Sequence, residues 1–215
     1  MPDSAPSDYR IADVAALRAR FGETSPLAER KVVTQLDIFC RAFIERAPFL
    51  CLGTQSPEGK ADVSPRGDPP GFVQVLDDRT LAIPDRPGNN RLDSLTNILA
   101  NPSVGLIFMI PGFEDTLRIN GKAHLSEDPS ILEPMAVAGR TPSLAIVVEV
   151  EEAFLHCAKA FKRSKLWQPE SLQERKTLPS LTRMILAQAG EKDLSEEDLR
   201  RLDARLETSY RDRLY

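Results

Sequence analysis

Hydrophobic positions recur at helical spacing over the first part of the chain. Apolar side chains three or four positions apart predict a short helix over residues 11–21, followed by Gly22, a residue that commonly ends helices. Ser25 and Pro26 are typical of a helix start, because serine can accept a hydrogen bond from the first turn and proline fits there. Apolar positions then repeat with a period near 3.6, which predicts a longer helix over residues 25–47, packed on the core.

After residue 48 the pattern changes to short apolar or alternating runs separated by turn-forming segments. Such runs predict β-strands, and the first four follow one another closely enough to predict a meander. Crossover helices are mostly missing, which favours a partly open antiparallel barrel over a parallel α/β sheet, and so a mainly β fold with helical additions. The predicted strands are residues 49–54, 60–64, 72–76, 80–83, 104–110, 116–125 and 144–156, and the intervening helices are residues 92–101 and 128–139.

The segment from about residue 171 is rich in Leu, Arg, Glu and Lys and predicts two more helices, over residues 178–189 and 195–210. The second begins with a capping-box-like sequence at Ser195. We expect these helices to cover the barrel or a partner subunit rather than to carry chemistry. The predicted organisation is N-terminal helices over residues 1–47, a barrel domain over residues 48–168 and a helical extension over residues 169–215.

Composition narrows the class of protein. The chain has 215 residues, of which 41% are hydrophobic and 28% charged, and its net charge of -4 argues against general binding to nucleic acid or anionic membranes. Three scattered cysteines and two histidines within predicted strands do not form a metal-binding pattern. The acidic start lacks the apolar core of a signal peptide, and no segment approaches the roughly 20 apolar residues that span a bilayer. We expect a cytoplasmic protein without a bound metal.

Cations and small polar side chains cluster at the ends of predicted strands. Residues 64–68, 84–91 and 117–121 each combine arginine with glycine or proline, and the second and third of these blocks also contain asparagine. Arginine offers forked donors and the turns offer free backbone N–H groups, which suits a phosphorylated cofactor. A further cationic block, residues 156–167, follows the last predicted strand and contains the single tryptophan, Trp167.

The order and content of these blocks resemble the pyridoxamine 5'-phosphate oxidase-like family of FMN-binding split barrels, over about residues 40–168. Residues 157–167 are similar to a segment of an uncharacterised bacterial branch of that family. The resemblance implies a split barrel with FMN as cofactor, and a homodimer with each flavin between two subunits. It also implies an FMN-dependent oxidoreductase that binds a small-molecule substrate or electron donor. The C-terminal substrate motif of true pyridoxamine-phosphate oxidases does not occur in this sequence, so the substrate stays open. The alternative is a non-catalytic flavin- or haem-binding split-barrel module.

In that family, an Arg-Lys pair binds the FMN phosphate ahead of an Asn-Pro that matches Asn101-Pro102. The corresponding positions hold Asp93 and Ser94, with Arg91 about one helical turn earlier. Either Arg91 and Ser94 share the phosphate, or the loop is arranged differently. A helix N-terminus at this point would also favour phosphate. The expected cofactor-binding residues are Ser64, Arg66, Asp85, Asn89, Asn90, Arg91, Ser94, Thr116, Arg118, Lys162, Arg163, Lys165 and Trp167.

The resemblance also implies roles for some of these residues. Ser64 and Arg66 would face the flavin ring, and Thr116 matches a flavin-contacting position and shares a strand face with Arg118. Trp167 could stack on the isoalloxazine ring within an anion-binding lip. Each residue has a structural alternative: a turn role for Arg66, an exposed ion pair for Arg118 and a core position for Trp167. No catalytic residue is assigned.

Overall fold

The computed structural model describes residues 9–191 and 195–215. The chain forms two compact units, Met1–Val32 and Val33–Tyr215, and the three-part division made from the sequence stays a prediction. The described part of the first unit contains α1 (Val14–Phe21) and α2 (Pro26–Arg30). Helix α2 begins at Ser25 and Pro26 as predicted, because the Ser25 side chain accepts a hydrogen bond from the first turn. Helix α1 begins at Val14 rather than at residue 11, because the Asp13 side chain accepts a hydrogen bond from the N–H of Ala16 and caps the helix there.

The second unit is built on seven strands, with helices between and after them. The strands are β1 (Phe49–Gln55), β2 (Ala61–Gly67), β3 (Gln74–Val75), β4 (Thr80–Pro84), β5 (Ser103–Met109), β6 (Thr116–Ser126) and β7 (Ala145–His156). The helices are α3 (Ile38–Arg46), α4 (Asp93–Ala100), α5 (Pro129–Leu132), α6 (Lys159–Ser164), α7 (Leu181–Gln188) and α8 (Glu196–Asp212), with short 3-10 turns at Glu133–Met135, Pro169–Ser171 and Arg175–Thr177.

All neighbouring strands are antiparallel, in the order β2-β1-β5-β6-β7-β4-β3. The prediction of a four-strand meander is wrong, because the hairpins β1–β2 and β3–β4 lie at opposite ends of the sheet. Both β1 and β4 are largely buried and therefore need a neighbour on each edge, which the later strands β5 and β7 supply. The result confirms the predicted mainly β fold with an unclosed antiparallel barrel.

The barrel interior holds one large apolar cluster. Strands contribute fully buried side chains such as Leu50, Phe108 and Ile119, and helix α3 adds Ile44. Helix α4, which lies between β4 and β5 in the chain, contributes Ile98 to the same cluster. Burying each large apolar side chain stabilises the fold by about 1.5–3 kcal/mol, so this cluster is the main source of stability of the barrel.

The predicted helix over residues 25–47 is in fact two helices, α2 and α3, separated by residues 31–37. Within this segment Val33 exchanges two backbone hydrogen bonds with Ala153 of β7, at 2.9 and 2.7 Å. Valine is β-branched and favours such an extended backbone. The apolar spacing of residues 25–47 continues through this extended segment, which is why it predicted one continuous helix. Asp37 then accepts hydrogen bonds from two backbone N–H groups and starts α3.

Two other elements are shorter than predicted. The helix predicted over residues 128–139 ends at Leu132 and continues only as the 3-10 turn, because Pro134 has no N–H to donate. The strand predicted over residues 72–76 is reduced to two residues, since Phe72 and Val73 are buried in the core before pairing begins.

A β-bulge interrupts the pairing of β6 with β7 between Asn120 and Gly121. A side chain at Gly121 would overlap the carbonyl oxygen of Glu149, so the two strands approach too closely there for any residue but glycine. Next to the bulge, Asn120 Nδ2 donates to Glu152 Oε1 at 2.5 Å.

None of the helices within residues 9–191 and 195–215 has the length and apolarity that a membrane crossing requires.

Candidate functional site

A cavity of about 710 Å³ lies where β2, the loop after β4 and the start of α4 meet. Residues 140–143 and Tyr215 complete its wall. The structure brings together predicted residues from two of the sequence blocks, 64–68 and 84–91, and Ser94 of α4, whereas block 117–121 does not line the cavity. The predicted residues that line the cavity are Ser64, Arg66, Asp85, Asn89, Asn90, Arg91 and Ser94.

Two ion pairs cross the opening of the barrel at this cavity. Arg66 Nη1 lies 2.6 Å from Asp85 Oδ1, and Arg86 Nε lies 2.6 Å from Asp68 Oδ2. The order of charges along the chain is opposite in the two segments. Arg66 precedes Asp68 at the end of β2, whereas Asp85 precedes Arg86 in the loop after β4. Strands β2 and β4 are separated by four other strands in the sheet order. Side chains therefore join parts of the barrel that no described strand pairing connects.

A line of hydroxyl groups runs from β2 to α4. Ser94 Oγ donates to Asp62 Oδ2 at 2.9 Å, which leaves Ser64 Oγ to donate to Ser94 Oγ, also at 2.9 Å. Arg66 Nε in turn donates to Ser64 Oγ at 3.4 Å. Ser94 is only 3% exposed, so this network fixes the start of α4 against β2. The polar side chains of Asp62, Ser64 and Arg66 consequently share one face of the strand.

The N-terminus of α4 borders the cavity and lacks a side-chain cap. Leu92 precedes the helix with a left-handed φ of 58° and makes no capping hydrogen bond through its side chain. Asn90 is also left-handed, with a φ of 57°, so the backbone turns sharply twice before the helix. Uncapped N–H groups at a helix start attract anions, because the helix dipole is positive there.

Arg91 is an exposed cation of the cavity wall. Its Nε lies 2.7 Å from Asp93 Oδ2, and its side chain is 71% exposed. The hydrogen bond that Arg91 donates to the Asp93 carboxylate raises the pKa of Arg91 above its usual value, so the guanidinium is charged. Exposed ion pairs of this kind contribute at most about 1 kcal/mol, so an anionic ligand could replace Asp93 at small cost.

Two of the predicted residues lie on β6, outside the cavity wall. Thr116 is 2% exposed at the start of the strand. The guanidinium of Arg118 lies 5.0 Å from the ring centroid of Phe154, a cation–π contact across the β6–β7 pair. Their contact with a cofactor stays a prediction.

The basic block after β7 forms a separate cluster beside the turn that joins β5 to β6. Lys162 Nζ lies 2.5 Å from Glu114 Oε2, and this contact raises the pKa of Lys162. Trp167 Nε1 donates to the carbonyl oxygen of Phe113 at 2.7 Å, and its ring stacks on Phe161 at 5.7 Å. The cofactor role predicted for this block likewise stays a prediction. The predicted residues of the block are Lys162, Arg163, Lys165 and Trp167, and none of them lines the cavity.

Several cavity residues were not assigned from the sequence. Asp68 and Arg86 fall inside the blocks singled out above, yet their pairing could not be read from either block alone. Asp62 alternates with Ser64 on β2, and this period of two could have identified it. Tyr215 carried no local signal, because it lies far along the chain from every other cavity residue.

With this geometry in place, comparison with known proteins assigns the family. A family model described as "Pyridoxamine 5'-phosphate oxidase" matches residues 36–157, more than half of the chain. The chain belongs to the pyridoxamine 5'-phosphate oxidase family, and its unclosed antiparallel barrel is the split barrel of that family. The matched segment includes β1 to β7 and the start of α4, but neither the basic block after residue 157 nor Tyr215.

The solved structures that are similar to this chain are distant from it in sequence. HupZ from group A Streptococcus is 15% identical, with 53% of this chain and 88% of that chain covered and a TM-score of 0.45. An FMN-binding protein from Syntrophomonas wolfei subsp. wolfei is 8% identical, with coverages of 66% and 96% and a TM-score of 0.42. HutZ, the heme storage protein from Vibrio cholerae, is 15% identical, with coverages of 57% and 94% and a TM-score of 0.42. No curated protein matches the chain.

Proposed function

We propose that this protein binds FMN in the cavity between β2, the β4 loop and α4, and acts as an FMN-dependent oxidoreductase. One observation carries the proposal: an uncapped helix N-terminus, the exposed Arg91 and two serine hydroxyls border a single cavity of about 710 Å³. Cavities of about 300–1,000 Å³ are typical for cofactors and other small ligands. Family membership supports the same assignment.

The phosphate would lie at the start of α4. Arg91 can turn from Asp93 to a phosphate dianion, because its present ion pair is exposed and weak. The backbone N–H groups of the first helical turn add the dipole contribution. Ser94, which the family pattern places at a phosphate position, is tied to Asp62 and so holds the helix start in place.

The remaining donors would hold the rest of the cofactor. Asn89 and Asn90 can bond the ribityl hydroxyls, and Ser64 and Arg66 can face the polar edge of the ring. Arg66 keeps its partner Asp85 in the barrel opening, so its guanidinium is fixed rather than free to follow the ligand. A bound flavin supplies the hydride chemistry, while this chain binds it, orients it and places a cation beside it.

The lining of the cavity favours flavin over haem. Among the described residues that line it there is no histidine, cysteine or methionine. These residue types and tyrosine supply the protein ligands to haem iron, and Tyr215, the tyrosine in the described lining, donates its hydroxyl to Asp68. His124 and His156 are instead exposed on β6 and β7.

The first test is the cofactor itself. Protein purified in its native state should release FMN, identified by mass, and recovery of haem or FAD as the main cofactor would overturn the proposal.

In apoprotein titrated with FMN, Arg91→Ala should weaken binding by about 1.5–3 kcal/mol, or roughly ten- to a hundred-fold, because a charge-assisted contact is lost. Arg46→Ala is the matched control, since Arg46 is an exposed arginine paired with Glu45 and does not line the cavity. Equal affinities in the two variants would remove Arg91 from the phosphate site.

The second test separates an enzyme from a flavin-binding module. Anaerobic addition of NADH or NADPH to the FMN-loaded protein should bleach the flavin absorbance, and readmitted oxygen or another acceptor should restore it. Flavin that stays oxidised with either donor, but is bleached by dithionite, would assign the non-catalytic module instead.

We also propose that the protein is a homodimer. Strand β2 forms one end of the sheet, has no fully buried residue and exposes 69% of Val63. An uncovered apolar edge strand gains by contact with a second copy. Light scattering should give twice the protomer mass of 23.9 kDa, and a monomer that binds FMN fully would contradict this.

A further inference from the structure

Tyr215 reaches the cavity from a position in the chain far beyond the last strand of the barrel. It follows α8 in the chain, yet its side chain lines the same cavity as β2 and the β4 loop. Its hydroxyl donates to Asp68 Oδ1 at 2.6 Å, and the guanidinium of Arg86 lies 5.4 Å from its ring centroid. Arg140 donates to its backbone carbonyl oxygen. Three contacts with three different segments thus hold one residue.

The contact with Asp68 fixes the tyrosine firmly. Asp68 has 1% of its side chain exposed, and its two oxygens are used separately: Oδ2 binds Arg86 and Oδ1 accepts from Tyr215. Arg86 is fixed in turn, because its Nη2 donates to the carbonyl oxygen of Met135 at 2.8 Å. If Tyr215 left, a buried carboxylate oxygen would lose its donor, and such unsatisfied groups cost free energy. The tyrosine is therefore part of the wall and not a loose cover.

The protonation state agrees with this geometry. The hydrogen bond to Asp68 raises the pKa of Tyr215 above its usual value, because the phenolate could not donate and would face the carboxylate. At neutral pH the hydroxyl is protonated and the contact is complete.

We propose that Tyr215 is a binding residue of the candidate site, delivered by the helical extension and locked by Asp68 and Arg86, so that a ligand is held between the barrel opening and this side chain. The identity of that ligand rests on the proposed FMN function, whereas the locked position does not. Tyr215 shields Arg86 in the ligand-free protein and contacts FMN in the loaded protein.

The locked position is tested without any ligand. Phenylglyoxal, which modifies arginine, is applied to the apoprotein, and the rate at Arg86 is followed by peptide mass spectrometry. Tyr215→Ala should raise that rate several-fold, because the covering ring is gone. Tyr210→Ala is the matched control, since Tyr210 is 47% exposed on α8 and does not line the cavity. Equal rates at Arg86 in wild type and Tyr215→Ala would overturn the locked position.

The ligand contact is tested by titrating FMN into the same proteins. Tyr215→Ala should bind FMN about two- to tenfold more weakly, the usual range for one aromatic contact. Tyr215→Phe keeps the ring but not the hydrogen bond, and its affinity should lie between those of Tyr215→Ala and wild type. Far-UV circular dichroism confirms that each variant is folded. Unchanged or tighter binding in Tyr215→Ala would overturn the proposal, tighter binding showing that the tyrosine blocks the cavity. If wild type does not bind FMN, the proposed function fails, and the labelling at Arg86 alone decides the position of Tyr215.

Discussion

The buried ion pair between Asp68 and Arg86 makes a quantitative prediction about the barrel opening. Arg86→Met removes the cation and keeps most of the side-chain volume. Asp68, with 1% of its side chain exposed, is then left as a buried carboxylate without its ionic partner. Breaking a buried pair in this way costs about 3–5 kcal/mol. Since a typical domain is stable by only about 5–15 kcal/mol, the variant should lose a large part of its stability.

Urea unfolding followed by circular dichroism measures this loss. The double variant Asp68→Asn/Arg86→Met should recover much of it, because no unpaired charge stays buried. Arg201→Met is the control: its partner Glu197 and Arg201 itself are each 69% exposed on α8, so this pair should contribute less than about 1 kcal/mol. A loss at Arg86 no larger than that of the control, or strict additivity in the double variant, would refute a stabilising role for the buried pair.

Three further predictions concern single residues. Gly121→Ala should destabilise the protein by about 1–3 kcal/mol in urea unfolding, because its Cβ would overlap a carbonyl of β7, and an unchanged midpoint would contradict the close approach. Because the pKa of Tyr215 is raised on folding by Asp68, its contact stabilises the fold fully at neutral pH and is lost as pH rises through the raised pKa. The stability difference between wild type and Tyr215→Phe should therefore stay constant around neutral pH and shrink only above the ordinary tyrosine pKa of 10.0. Burial raises the pKa of Cys40 to about 11, so at neutral pH iodoacetamide should modify the exposed Cys157 first, and faster labelling of Cys40 would contradict its burial.

Local signals predicted the elements of the fold better than their arrangement. Ser25 and Gly22 act within one or two turns of their own position, and the structure shows the expected helix start and stop there. The break between α2 and α3 was missed because Val33 leaves the helix to pair with Ala153, a residue far away in sequence. The sheet order was missed for the same reason, since turn composition cannot tell which distant strand will cover a buried edge.

The candidate site shows the same division between local and distant information. Short cationic blocks at strand ends identified Ser64, Arg66 and Arg91, and these do share one cavity. The pairing of Asp68 with Arg86 depends on the curvature of the whole sheet, so it could not be predicted from either block. Tyr215 was beyond sequence reasoning, because its partner Asp68 is 147 positions away.

The 147 positions between Asp68 and Tyr215 also determine when each part of the cavity wall is synthesised. Ribosomes add roughly 5–20 residues each second, so about 7–30 s pass between the synthesis of Asp68 and that of Tyr215. During this interval every strand of the barrel has been made, including β7, which ends at His156. The wall formed by Tyr215 is still missing. A nascent chain can therefore fold its barrel before Tyr215 is made, but the finished cavity, with Tyr215 in its wall, forms only after that residue has been added.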